Sequence, residues 1–261
     1  MNEVTKIDGI GSSVRRTEDK KFLTGKGRYT DDINRPGQVQ AYFLRSDVAH
    51  AEIKNIDTKA AQSAPGVVGV FTVADIAADK VGGPICGWVV PCRDGSSTKE
   101  PPHPLHAQGK VRFVGDAVAV VVAETMEQAK SAAELIDVDY NELTPVVDFV
   151  NADKGAQIHE EVPNNCYFDW ELGDESATNK AIESAAKVVK LSVRNNRLVP
   201  NAMEPRSALA EYDSLDESYT LHTTSQNPHL TRLVLAAFMF AIPESKPVSY
   251  THLTLPTTCS V

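Results

Sequence analysis

No apolar run in this chain of 261 residues is long enough to cross a membrane. The longest, residues 233–242, is about half of the ~20 residues that a spanning helix needs, and it reads as a buried helix. The start has no apolar signal core. Arg15 and Arg16 are adjacent, but nothing apolar follows them as a twin-arginine signal requires. A cytoplasmic location is the resulting expectation. Cysteine is scarce: Cys86, Cys92, Cys166 and Cys259 form no CxxC pair. Zinc and iron–sulfur sites ordinarily draw two thiolates from one short loop, so these four read as reduced thiols. Basic excess is also missing. Lys and Arg total 26 against 35 Asp and Glu, a net charge of -9. That balance argues against a nucleic-acid partner, whose phosphates are bound by lysine and arginine.

Several motifs are absent as well. There is no GxSxG, HExxH or dinucleotide fingerprint. Gly25-Lys26-Gly27-Arg28 lacks the spacing of a phosphate loop and reads as a turn. His103 and His106 lie in a proline-rich loop with no carboxylate at ligand spacing, so no metal site is assigned there.

What is present belongs to a globular protein: 42% hydrophobic and 23% charged residues, enough chain for one large or two ordinary domains. Residues 38–44 and 51–56 have strand character, Asp57 is placed to cap a short helix over 58–63, and Pro65-Gly66 breaks it. Residues 67–73 are short and β-branched, as in a buried strand, and 74–78 fit a helical turn. Residues 80–108 are loop-rich. The clearest unit is 111–140: a continuous apolar strand over 117–123, then a helix over 124–136 with Ala129, Ala132, Ala133 and Ile136 on one face, then a strand over 136–140. Strand, helix, strand suggests a βαβ-like or split βαβ unit. A domain boundary is expected near 150–165.

Beyond it, 177–186 reads as helix and 188–193 as strand. Residues 207–212 and 218–224 read as strands paired around the turn 213–217, and 228–240 as a strongly apolar helix. The most informative junction is Thr223-Thr224-Ser225-Gln226-Asn227-Pro228-His229. Asn227 suits an N-cap and Pro228 the first helical position. The free amides of such a helix start can bind an anion, and Gln226 just outside has both a donor and an acceptor for an oxo or phosphate group. On chemistry alone the plainer reading is the better one: a well-capped helix with a surface glutamine. Glu204 and Arg206, in a proline turn, form either a buried clamp or an ordinary surface pair.

Taken in order, several stretches resemble one family. They are residues 13–19 and 22–33, His50-Ala51-Glu52-Ile53, Ala64-Pro65-Gly66-Val67, residues 111–119, Met203-Glu204-Pro205-Arg206 and Ser225-Gln226-Asn227-Pro228-His229. Their order over some 235 residues is similar to the opening of the large, molybdopterin-binding subunit of the xanthine dehydrogenase/aldehyde oxidase/carbon monoxide dehydrogenase family. The resemblance implies an α+β fold: an α/β hammerhead domain over 15–150, then the truncated start of a molybdopterin-binding domain over 165–247. It implies an oxidoreductase that hydroxylates a substrate carbon with oxygen from water. The cofactors are a molybdenum–molybdopterin group in this subunit, with [2Fe–2S] clusters and FAD on partners. Those partners are an iron–sulfur small subunit and an FAD-binding medium subunit, with the full protein a dimer of heterotrimers. The glutamine matching Gln226 approaches the metal's oxo ligand, while Glu204 and Arg206 are assigned a structural clamp. No protein residue here is a metal ligand.

The departures from the family matter too. A Gly-Phe-Gly stretch is expected soon after Pro247, and the catalytic base glutamate lies beyond the end of this chain. No catalytic residue is therefore assigned, and no turnover is expected from this chain alone. Residues 248–261 resemble a translated transposon-type sequencing adapter and are set aside as an assembly scar, the alternative being a native strand rich in Thr and Leu. The helix over 230–240 then lacks partners, which predicts an exposed apolar face and poor solubility beyond the first domain. The rival reading is a non-catalytic α/β binding or assembly module, complete as it stands.

Overall fold

The computed structural model describes residues 16–196, 198–199, 201–202 and 205–251, with backbone alone for 247–251. The elements in chain order begin with helix α1 (Asp19–Leu23), strands β1 (Gln40–Arg45) and β2 (Ala51–Asp57), helix α2 (Lys59–Gln62), strand β3 (Val67–Thr72) and helix α3 (Val73–Ala78). After a long loop come β4 (Lys110–Val111), β5 (Ala117–Ala123), α4 (Met126–Ala133) and β6 (Asp137–Glu142). The second half holds α5 (Glu175–Glu183), β7 (Ala208–Asp213), β8 (Ser218–Thr223), α6 (Pro228–Leu233) and β9 (Pro247–Thr251).

The first half is organised by β5. Its unbroken Ala/Val run has no polar face, because it lies between β1 and β3, antiparallel to both, in the order β1-β5-β3. Ala119, Val121 and Ala123 face one cluster, with Ala129, Ala132 and Ala133 of α4, while Val118 faces another with Ala51, Ala107 and Val111. The small alanines on both sides let α4 approach the strand closely. Thr125 and Gln128 fix the start of α4 as a capping box, satisfying two amides that a helix start leaves free.

The βαβ expectation over 111–140 is corrected here. The strand–helix–strand order is present, but β5 and β6 belong to different sheets, since β6 pairs antiparallel with β2 in the order β4-β2-β6. A crossover helix needs a parallel partner for its second strand, and β5 is already flanked on both edges. Two smaller revisions follow the same local logic. Asp57 does accept the Lys59 N–H at 3.1 Å, but the N-cap position falls to Thr58. The turn expected over residues 25–28 falls instead at Thr24-Gly25, where it closes α1 with Gly25 at φ 68°.

In the second half, β7 and β8 form the expected hairpin, and β9 adds parallel to β8. Residues 248–251, expected to be set aside, are thus extended and paired as backbone, together with Pro247. That pairing does not bear on the origin of the segment, and residues 252–261 lie outside the described set. Between β8 and β9 the apolar helix is not uniform. After α6, residues Val234–Phe240 wind as a π-helix and end at Ala241 in the left-handed region at φ 52°. The strand expected over 188–193 does not form. It has no partner among the described residues, and propensity alone does not hold a lone strand in water.

Candidate cofactor site

The sequence motif around Gln226 falls at the carboxyl end of β8, where the chain turns into α6. Strand, helix and parallel strand make β8–α6–β9 a crossover unit, and in such units ligands gather outside the carboxyl ends of the strands. Asn227 is the N-cap, as its position suggested: Oδ1 accepts the Leu230 N–H at 3.1 Å, and Pro228 occupies the first turn. Ser225 Oγ accepts the Asn227 N–H at 3.1 Å and lies 3.1 Å from Thr231 Oγ1. Most of the amides expected to be free for an anion are therefore already engaged. The carboxamide of Gln226 is different: it is exposed and makes no hydrogen bond with any described residue.

Around this bend the polar accounting is incomplete. Ser207 Oγ, Thr224 Oγ1 and Arg232 Nε are buried with no partner among the described residues. Ser207 and Thr224 face each other if the β7–β8 register, which pairs Ala208 with Thr223, is continued by one residue. Each such atom costs about 1–3 kcal/mol if left unsatisfied, so the Ser207–Thr224 pair suits a site whose polar guest completes it, while Arg232 also pairs with Glu244 at 3.5 Å. Amide, hydroxyl and guanidinium donors are the set a polar, anionic pterin group requires, and the residues present fit it.

An ion-paired cluster that sequence reading missed ties this hairpin to the first half. Glu211 accepts from Arg35 Nε at 2.9 Å and lies 2.9 Å from His222 Nε2. The Arg35 guanidinium, followed by His222, holds the Glu211 carboxyl below the usual range. The one available signal was register: Leu209 pairs with His222 across the hairpin, which puts Glu211 diagonal to it.

The other sequence candidates stay apart from this bend. His103 and His106 line a cleft of about 340 Å³ between α3 and the 81–108 loop, which includes none of residues 222–232. His106 is 4% exposed, stacks on Phe43, and has no partner for either ring nitrogen, so burial lowers its pKa. This cleft is lined mainly by prolines, glycines and aliphatic groups, and the chemistry argument therefore stays with Gln226. Among the described residues no three His, Cys, Asp or Glu side chains converge as ion ligands. Cys86, Cys92 and Cys166 are free thiols, while Cys259 lies outside the described residues. Glu204 also lies outside them, so the Glu204–Arg206 clamp has no geometry. No described helix is long and apolar enough to cross a membrane.

Comparison with known proteins gives two family matches. Residues 24–144 match the aldehyde oxidase and xanthine dehydrogenase a/b hammerhead domain, and residues 158–250 match the molybdopterin cofactor-binding domain. The chain is 34% identical to the carbon monoxide dehydrogenase large chain of Afipia carboxidovorans, over 92% of its own length and 30% of that protein's. It is 34% identical to the nicotine 6-hydroxylase large subunit of Paenarthrobacter nicotinovorans, over 88% of its length and 28% of the relative's. Among solved structures, quinoline 2-oxidoreductase from Pseudomonas putida 86 superposes with a TM-score of 0.78 at 35% identity, over 92% of this chain and 30% of that one. The chain thus spans about 30% of the length of these relatives. With both domain models matched in order, the chain belongs to the xanthine dehydrogenase/aldehyde oxidase/carbon monoxide dehydrogenase family, as a hammerhead domain followed by part of a molybdopterin cofactor-binding domain.

Proposed function

We propose that this chain is the leading part of the large subunit of a molybdenum hydroxylase, and that Gln226 is its point of contact with the cofactor. The observation that carries this reading is the unpartnered Gln226 carboxamide at the carboxyl end of β8, inside the matched cofactor-binding region. When bound, the molybdenum–pterin group supplies the two-electron oxidation by which a substrate carbon gains an oxygen from water. The chain's own residues bind and orient. The Gln226 amide donates a hydrogen bond toward the group, and the Asn227 cap with Ser225 and Thr231 holds the backbone of the bend in one geometry. Ser207, Thr224 and Arg232 offer the further donors.

Electrons leave, in this reading, through [2Fe–2S] and FAD centres on a small and a medium partner subunit, and the complete assembly is a dimer of heterotrimers in the cytoplasm. In this reading the base that takes a proton from the reacting centre belongs to the part of the relatives' length that the chain does not span, and the 261-residue chain is inactive by itself. The purified complete subunit is expected to hold molybdenum and pterin. Gln226→Leu should lower both contents, and so should Gln226→Glu, whose carboxylate keeps the size but has no N–H to donate, while Gln226→Asn, which keeps the amide, should retain more. Equal metal and pterin in wild type and Gln226→Leu would remove Gln226 from the site. Substrate-dependent dye reduction by the 261-residue chain supplied with the cofactor would overturn its predicted inactivity.

A further inference from the structure

The bend that carries Gln226 is tied to the first half of the chain on both sides. Ahead of it, Glu211 Oε2 on β7 accepts from Arg35 Nε at 2.9 Å, and Glu211 Oε1 lies 2.9 Å from His222 Nε2 on β8. Beyond it, the Gly82 N–H donates to the Met239 carbonyl in the π-helical segment.

The tie on the strand side is directional. An ionised carboxylate only accepts hydrogen bonds, so both neighbours must donate, and His222 carries its proton on Nε2. The Arg35 end is fixed by a turn of its own, just ahead of β1. There the Arg35 N–H donates to Gln38 Oε1 at 3.0 Å, and the Gln38 N–H to the Arg35 carbonyl at 3.1 Å. The neighbouring turn Thr30–Asp32, with Thr30 buried, lies against β7 as well. At the His222 end there is little slack before Gln226. Thr223 pairs with Ala208 across the hairpin, and its hydroxyl donates to the Ser207 carbonyl at 3.1 Å. Ser225 is bonded to Asn227 and Thr231. A shift of His222 is therefore passed to the bend rather than absorbed on the way.

Exposure decides what this cluster does. The side chains of Arg35 and Glu211 are 41% and 35% exposed, and that of His222 12%. Ion pairs this open contribute little to stability. What the cluster supplies is a fixed spacing between the first domain and the end of β8. We infer that Glu211 is a positioning residue: anchored by Arg35 of the hammerhead domain and acting through His222, it sets the geometry of the bend that presents Gln226. Its consequence for the cofactor rests on the reading of Gln226 as the contact with the molybdenum–pterin group.

Hydrogen exchange on the 261-residue chain reads the bend directly, at the bonded amides of Asn227, Leu230 and Thr231. Glu211→Ala should speed their exchange at least about tenfold and leave the amides of β5 unchanged. Glu211→Gln keeps one acceptor oxygen, so one of the two contacts survives and the effect should be smaller. Arg35→Ala should also speed exchange at the bend. The double variant Arg35→Ala/Glu211→Ala should match Glu211→Ala alone, because Arg35 acts through the carboxylate. Glu211→Gln and Arg35→Ala carry the test if Glu211→Ala does not fold. Unchanged exchange at the bend overturns the inference. So do effects that add in the double variant, and so does acceleration spread equally over β5, which marks a general loss of stability. In the complete subunit, Glu211→Ala should lower molybdenum and pterin content. Faster exchange in Glu211→Ala with equal cofactor in Gln226→Leu would keep Glu211 as the brace of the bend and reject the cofactor role of Gln226. Unchanged exchange in Glu211→Ala with cofactor lost in Gln226→Leu would do the reverse.

Discussion

One of the contacts between the two halves of the chain is made at Gly82. Its N–H donates to the Met239 carbonyl at 2.8 Å, at the end of the π-helical turn. A methyl group placed there would clash with the Phe238 carbonyl oxygen and stand 3.2 Å from its carbon, both backbone atoms that no rotamer change can move. Gly82→Ala must therefore open the seam by more than an ångström and break the hydrogen bond. Losing the bond costs about 0.5–1.5 kcal/mol, and overpacking a fixed backbone about 1–3 kcal/mol, so a loss of roughly 1.5–4.5 kcal/mol is expected. Gly87→Ala is the control, since an added methyl there meets nothing within 4 Å. It should fall within about 0.5 kcal/mol of wild type. Urea unfolding followed by far-ultraviolet dichroism gives both numbers, and protease cleavage between residues 241 and 247 reports on the seam alone. A Gly82→Ala protein as stable as Gly87→Ala, with unchanged cleavage, would refute the packing argument.

Two further outcomes follow from single side chains. Asn227→Ala should destabilise the α6 start by about 1 kcal/mol, while Asn227→Asp keeps an acceptor for the Leu230 N–H and should recover most of it; equal losses in urea unfolding would show that the cap is not what matters. The second concerns pH. Burial keeps His106 neutral, so its folded pKa lies below the usual value of 6.5, and the unfolded chain takes up the proton first as pH falls. This contribution is full above pH 6.5 and declines below it, until the folded state is protonated as well. His106→Phe retains an aromatic ring against Phe43 and should flatten that part of the curve. An identical loss between pH 7.5 and 5, in urea midpoints of both proteins, would place the effect elsewhere.

Much of the candidate site was legible because it is local. Asn and Pro at a strand-to-helix junction specify a cap through bonds that span three residues, and the structure has that cap. The plainer reading of this bend, a well-capped helix with a surface glutamine, describes its local geometry, because Ser225 and Asn227 satisfy two of the amides with their own side chains. The Arg35–Glu211 contact was invisible, since the partners are 176 residues apart and nothing in either segment marks the other.

The fold divides along the same line. Sequence by itself determined the apolar strand Ala117–Ala123, the helix that follows it and the β7–β8 hairpin, because periodicity and turn chemistry act over a few residues. Only the tertiary structure decided that β5 and β6 enter different sheets and that the 228–240 helix changes to a wider winding after Leu233. It alone decided, too, that the strand-like residues 188–193 remain unpaired. A strand needs neighbours to take its hydrogen bonds and cover one face, and whether they exist is a property of the whole chain.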